Sequence, residues 1–438
     1  MIAYALRRLA APAAMLSAFC LPLAAIAAED KPLDAANTAW ILTATALVLF
    51  MTLPGLALFY AGLVRARNAL SVVMHCVLIA ALVSLLWLIA GYSLAFTDGG
   101  ANNAWIGSFE RAFMAGVSAE TLKDGLPEAV FFMFQMTFAI ITPALIVGAW
   151  PERIRFSAVV LFSGLWLFLV YVPVCHWIWG GGWLFDRGVI DFAGGLVVHV
   201  TAGMAAVVAA LMVGKRRDFP HEPLLPHSPG MTATGAGMLW VGWYGFNAGS
   251  ALAANGAAGM AMLVTHLSAA TGALTWMAIE WLRHGRPSLV GIVTGLVAGL
   301  ATITPAAGVA GPAGAVLIGF CGGAICFTVT ALMKQKLHLD DSLDVFAVHG
   351  VGGALGILLV AIVGQPGFGG TGFAEGVDAM QQFGVQLLGL GAVAAWSGLV
   401  SWSIFAVLKM SGNLRVSEED EFDGLDITTH GERAYDLH

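Results

Sequence analysis

The chain has 438 residues, 59% hydrophobic and only 11% charged, with a formal net charge of -7 and a mean hydropathy of +0.83. A soluble globular domain carries about 25% charged residues, so this composition excludes one and leaves a polytopic membrane protein, with the lipid bilayer as its medium and no nucleic-acid partner. The 54 glycines exceed the roughly 30 that average usage would give, and in lipid they mark close helix contacts and helix breaks.

Arg7 and Arg8 precede an apolar stretch from Leu9 to Ala25, which ends in Ala25-Ile26-Ala27-Ala28 before Glu29. That order predicts a cleaved signal peptide over residues 1–28; an additional membrane helix is the other reading. Next come eleven apolar stretches, near 38–63, 69–96, 128–150, 156–178, 191–213, 231–252, 255–282, 288–304, 312–333, 342–363 and 380–408. Each is about the 20 residues a helix needs to cross a bilayer. The prediction is an all-α membrane domain of eleven transmembrane helices over 29–410, then a cytoplasmic regulatory tail over 411–438.

Starting outside, the inner connections hold Arg65, Arg67, Arg153, Arg155, Lys215, Arg216, Arg217, Arg283, Arg286, Lys334 and Lys336, and the tail holds Lys409, Arg415 and Arg433. The outer connections hold only Lys31, Arg111, Lys123 and Arg187. This asymmetry obeys the positive-inside rule and predicts an outer N-terminus and a cytoplasmic C-terminus. The longest outer loop, Thr97 to Pro127, is expected to form a short surface structure, and no chemistry is assigned to it. His221 and His227, in the proline-rich inner loop, read as solvated residues rather than metal ligands. None of the five cysteines, Cys20, Cys76, Cys175, Cys321 and Cys326, has the spacing of a metal or disulfide framework.

The first ten stretches divide into two sets of five, the second inverted, with a last helix added; many transporters follow this plan. His199 lies eight residues into the fifth stretch and His349 about seven into the tenth, so the symmetry carries both toward the midplane. His75 and His266 form a second nominal pair, less well matched in depth. An ionisable residue inside the membrane is costly and marks a pathway; the alternative is packing with a bond to a backbone carbonyl. Carboxylates are confined to the ends, Asp191 at one and Asp340, Asp341 and Asp344 at the other. Neutral-capable imidazoles therefore suit a small, weakly basic substrate or a proton relay.

Phe134 and Phe138 share one helix face, as do Trp243, Phe246 and Ser250, while Trp177 and Trp179 close the fourth stretch. Aromatic faces with a hydroxyl can hold a desolvating cation, and stacked Phe rings can form a constriction; such stripes are also ordinary core packing. Asp191 reads as a helix cap or as a ligand shaping the outer vestibule.

These residues lie in longer runs: Asp191-Phe-Ala-Gly-Gly-Leu-Val-Val-His199, Gly242-Trp-Tyr-Gly-Phe-Asn-Ala-Gly-Ser250, Ala149-Trp-Pro-Glu-Arg-Ile-Arg-Phe156, Trp179-Gly-Gly-Gly182 and Asp344-Val-Phe-Ala-Val-His-Gly-Val-Gly352. From Thr38 to Tyr435 the chain resembles the ammonium transporter family (Amt/MEP/Rh), closest to its bacterial Amt branch. The resemblance implies an eleven-helix bundle with a pore in each subunit, a homotrimer, the bacterial inner membrane, ammonium or ammonia as substrate, and no cofactor or metal. It places ammonium recruitment at Trp179, Phe134 and Ser250, shaped by Asp191, a gate at Phe138 and Phe246, and the pore at His199, His349 and Trp243. It also implies a PII signal protein as partner at the cytoplasmic face. Other readings are an ammonium sensor acting through its tail, gas conduction in the Rh manner and, most remotely, an intramembrane enzyme.

Overall fold

The structure, a computed structural model, describes residues 31–222 and 224–435. The segment predicted as a signal peptide lies outside the described residues. The long helices are α1 (Ala35–Leu63), α2 (Ala66–Phe96), α3 (Glu128–Ala149), α4 (Phe156–Asp186), α5 (Gly195–Val213), α6 (Pro229–Gly249), α7 (Gly256–His284), α8 (Leu289–Ala306), α9 (Pro312–Lys336), α10 (Phe346–Val363) and α11 (Ala379–Met410). Each predicted stretch falls on one of them. Among the described residues, ten are long and apolar enough to cross a membrane, and α6 is the one that is not. Its composition explains this: 6 of its 21 residues are glycine. Those glycines let α6 press against α1, where a Cβ on Gly235 would collide with the Phe59 backbone and one on Gly242 with Met51.

Large apolar side chains cover the outside, with Leu282 and Met410 more than four-fifths exposed. A monomeric soluble protein does not show such a surface; it is one made for lipid or for other copies of a membrane protein. Polar groups turn inward instead. Gln386 Nε2 donates to the Ile190 carbonyl at 2.7 Å, and its Oε1 accepts from the Ile190 amide at 2.8 Å.

One end of the bundle is tied by buried charge. Arg153 is fully enclosed, its guanidinium donating to the carbonyls of Ala149, Pro151, Gly214 and Asp340 and to Ser342 Oγ. Arg216 grips the Asp340 carboxylate at 2.8 Å, and Arg65 pairs with Glu152 and Asp218. Burial pushes the Asp340 carboxyl up, but Arg153 and Arg216 more than offset that and hold it at about 2. The tail packs on this end as two short helices, α12 (Glu418–Asp423) and α13 (Leu425–His430). Asp426 accepts the N–H groups of Leu70 and Ser71 at 3.0 and 2.7 Å, and Glu421 pairs with Arg415 at 2.6 Å. His227 belongs to this joint as well, with its ring nitrogens at 2.8 Å from the Val64 carbonyl and 3.0 Å from the Tyr435 hydroxyl. The expectation of a merely solvated loop residue is corrected here, because the tail supplies the partner.

At the opposite end, the loop after α2 contains a small hairpin, β1 (Leu122–Lys123) paired with β2 (Leu126–Pro127). Asp124 and Gly125 turn it with φ of 54° and 85°, as a two-residue hairpin turn of this hand requires.

Candidate functional site

Helix α5 begins abruptly, and Asp191 is the reason. Its carboxylate accepts four successive backbone N–H groups, from Gly194, Gly195, Leu196 and Val197, at 2.5 to 3.0 Å. Gly194 enters this turn at φ 114°, which a side chain would resist. The first six residues of α5, Gly195–Val200, are π-helical, and so are Phe346–Val351 at the start of α10. Wider turns of this kind often occur at functional sites, and here each carries one histidine, His199 or His349. The two helices meet through glycine: a Cβ on Gly350 would stand 3.2 Å from the Cα of Gly203, and one on Gly353 only 2.7 Å from the Cβ of His199.

That approach brings the imidazoles together. His199 Nδ1 and His349 Nδ1 are 3.2 Å apart, with ring centroids at 5.1 Å. A hydrogen bond between the two Nδ1 atoms needs one to donate and the other to accept. The neutral pair therefore holds opposite tautomers, one with a bare Nε2 and the other with Nε2–H. His199 Nε2 is buried and has no partner among the described residues. His75 and His266 do not meet: His75 stacks on Phe156, whereas His266 stacks on Trp240 and bonds the Tyr244 hydroxyl at 2.7 Å.

From His199 a column of rings runs toward the hairpin end. Phe246 lies 6.2 Å from His199, Phe138 is 4.3 Å from Phe246, and Trp179 stands edge-on to Phe138 at 5.7 Å. Trp243 stacks beside His199 at 5.5 Å and donates its Nε1–H to Thr304 Oγ1 at 2.9 Å. Trp179 donates to the Asp191 carbonyl at 2.8 Å, so the helix start and the column are fixed to one another.

Three hollows lie along this column. The first, about 190 Å³ and open at the hairpin end, is bounded by Phe96, Phe131, Gln135, Phe138, Trp179 and Ser250, among others. The second, about 10 Å³, lies beyond the Phe138–Phe246 pair and is walled by both histidines and Trp243. The third, about 240 Å³, opens at the arginine-rich end and reaches back to His349, with Tyr60, Lys334, Ser342 and Asp344 on its wall. Phe134 does not line the first hollow; it packs behind Phe138, edge-on at 5.1 Å. Asp191 does not line it either, and both its oxygens are spent on the helix start. Ser250 gives its proton to the Phe246 carbonyl at 2.8 Å, which leaves its oxygen free to accept.

Phe96, Phe131, Gln135 and Phe192 bound the first hollow without having been singled out in the sequence. For Phe131 and Gln135 a signal existed, since both fall on the helix face of Phe138. For Phe96 and Phe192, at the ends of other segments, there was none. Among the described residues no three His, Cys, Asp or Glu converge as a metal site.

The fold and site define an all-helical membrane protein with two open hollows joined through an aromatic and imidazole column. The sequence model of the Ammonium Transporter Family matches residues 39–435, and the chain belongs to that family. It is 46% identical over 412 residues to the "Ammonium transporter" of Aquifex aeolicus, covering 94% of this chain and 96% of the relative. Among solved structures it superposes on a "Sensor Amt Protein" with a TM-score of 0.84 at 30% identity, covering 90% of this chain and 98% of that one. It also superposes on Saccharomyces cerevisiae Mep2 with a TM-score of 0.80 at 36% identity, covering 89% of each chain. The chain is thus a multi-pass ammonium transporter, a class of protein that moves its substrate rather than transforming it.

Proposed function

We infer that ammonium is captured in the first hollow, gives up its proton near Phe138 and Phe246, and passes as NH3 through the histidine column to the third hollow. The observation that carries this reading is the His199–His349 contact, set in a space of about 10 Å³ between two open hollows. A space that small holds roughly one water-sized molecule, so a hydrated ion does not fit. An unhydrated cation there, with no carboxylate on the wall, bears the full cost of a buried charge. Neutral NH3 escapes that cost and finds nitrogen partners on the imidazoles.

The first hollow suits the cation. Trp179 and Phe138 offer ring faces and edges, Ser250 offers an oxygen, and attraction of a desolvated cation to an aromatic face is worth up to about 2 kcal/mol. Phe134 supports Phe138 from behind, and Asp191 acts on the hollow through Trp179 and its own charge. The paired Phe rings must part for passage and so form the gate. Potassium resembles ammonium in size but has no proton to give, which is the basis of selection.

In this reading α6 crosses the membrane with the ten apolar helices, giving eleven crossings in a 5+5 inverted repeat plus α11. The membrane domain spans 29–410, the tail 411–438, and residues 1–28 are a signal peptide. The hairpin end faces outward and the arginine-rich end faces the cytoplasm of a bacterial cell, across its inner membrane. Three copies assemble, each with its own pore. The docked tail and basic loops form the surface for a PII protein.

The test is current on a solid-supported membrane after an ammonium pulse, with potassium as control. Current with ammonium alone, lost when His199→Ala and His349→Ala are combined, supports the reading; unchanged selectivity and flux in the double variant refutes it. An internal pH rise without current means neutral NH3 conduction. The likeness to a protein titled a sensor favours one second reading, an ammonium sensor signalling through the tail; silence in both assays would bring it forward.

A further inference from the structure

The hairpin carries an ammonium group of its own. Lys123 Nζ lies 4.9 Å from the centroid of the Phe131 ring, 5.4 Å from Phe96 and 5.8 Å from Tyr92. It donates one hydrogen bond, to the Phe96 carbonyl at 3.1 Å. No carboxylate among the described residues comes within ion-pair distance of it. Glu128, the nearest buried acid, is engaged by the Tyr92 hydroxyl at 2.9 Å and by Arg111 at 3.3 Å. Three ring systems and one oxygen thus hold a primary ammonium, the same chemistry that the first hollow offers through Trp179, Phe138 and Ser250. The two places are adjacent, because Phe96 and Phe131 bound both.

We propose that Lys123 is a tethered ammonium seated in an auxiliary aromatic cage, whose fixed charge, one ring away, sets how tightly the first hollow takes a free cation. This rests on the reading of that hollow as the recruitment site. Two cations on opposite sides of one ring stand about 10 Å apart. At effective dielectric constants between about 25 and 80 their repulsion changes affinity by roughly two- to tenfold. The hollow is open, so salt weakens the effect, the screening length being about 10 Å at 0.1 M. The consequence is a recruitment site held below its intrinsic affinity. The other charges near Lys123 are Arg111, Asp124, Glu110 and Glu128, none of which lines the hollow. Lys123 itself touches no substrate and acts only through its charge.

The full-length protein in liposomes is assayed by ammonium pulses of increasing concentration, with methylammonium as a second probe. Lys123→Met, which keeps the length of the side chain and removes the charge, should lower the half-saturating concentration of both about two- to tenfold. The maximal current should not change, and the shift should shrink at high ionic strength. Lys123→Arg, which keeps the charge, should behave as the parent. Lys123→Gln is a second neutral variant should the first fold poorly. An unchanged half-saturating concentration in the neutral variants overturns the proposal. So does an equal fall of maximal current in the Met and Arg variants, which marks a packing role. Trp179→Ala separates the underlying reading: if it leaves half-saturation unchanged, the first hollow is not the recruitment site. If it weakens recruitment while the Lys123 variants do not respond, only the present proposal fails.

Discussion

The two histidine helices start alike and are held differently. Asp191 precedes His199 by eight residues, and Asp341 precedes His349 by eight. Both acids bond the backbone of a π-helical first turn. Asp191 takes four N–H groups and has nothing left over. Asp341 takes the Phe346 N–H at 2.7 Å with one oxygen, while its other oxygen is buried without a partner among the described residues. Burial and the neighbouring Asp344 push its carboxyl up to about 7. The same spacing therefore serves two purposes. One carboxylate is consumed in holding a helix start, whereas the other keeps capacity for a proton behind Ser342 and Asp344 of the third hollow's wall.

The largest expected effect breaks the saturated end. Asp191→Ala orphans four buried donors, each costing about 1–3 kcal/mol and not strictly additive, so a loss of several kcal/mol is expected. Thermal unfolding of the detergent-solubilised protein should show it, or no folded protein should be recovered. Asp341→Ala orphans one such donor and should cost about 1–3 kcal/mol. Equal losses in the two variants would erase the distinction between the ends.

Next in size are the histidines themselves. His199 is enclosed by Trp243, Phe246 and His349, while His349 adjoins the roomy third hollow. Water can replace a lost imidazole there but not around His199. His199→Ala should therefore lower ammonium flux about tenfold or more, the worth of a buried hydrogen bond, and His349→Ala only a few-fold. The reverse order in initial current would mean that the third hollow stays dry.

How far the sequence carried this architecture can be seen in a few residues. Helix positions were legible because uncharged runs bounded by Arg and Lys leave little choice in a bilayer. Even the glycine-rich α6 coincides with the uncharged stretch predicted at 231–252. His199 and His349 stood out because imidazoles inside apolar helices are costly. The inverted symmetry points both to the midplane, where two facing imidazoles can share a hydrogen bond; the distance of 3.2 Å depends on Gly350 and Gly353 admitting a close approach that spacing alone does not encode. In the charge pattern Arg153 and Arg216 read as topological anchors, yet both are buried structural ties. Charge counts cannot tell the two roles apart. Lys123 was passed over for a similar reason: its cage draws on α2, α3 and the hairpin, and only the Asp124-Gly125 turn could have signalled that the loop was ordered.

The carboxyl of Asp341 gives the parent a pH signature that Asp341→Asn should lack. With a folded value of about 7 against an ordinary 3.8, the folded protein keeps a proton that the unfolded chain has released. Stability from this group is therefore greatest below about pH 4 and falls as pH rises to about 7. Asp341→Asn retains the oxygen facing Phe346 and removes the titration. The difference in unfolding temperature between parent and variant should change across that window and flatten above it; a constant difference would mean that Asp341 is ionised throughout.

The smallest effect sharpens the same end. Lys334 pairs with Asp344 at 2.7 Å, but its side chain is 34% exposed and that of Asp344 18%. An ion pair this open is worth no more than about 1 kcal/mol, so Lys334→Met should barely move the unfolding temperature. Its influence on Asp341 is more specific. Lys334 favours the ionised form of that carboxyl, whereas Asp344 opposes it. Removing the lysine leaves Asp344 uncompensated and should move the Asp341 window upward by less than about one pH unit. Comparing pH profiles of Lys334→Met and Lys334→Met with Asp341→Asn isolates the shift. A window that stays in place would show that solvent in the third hollow screens Lys334 from Asp341, and the spare carboxyl would then owe its state to burial and Asp344 alone.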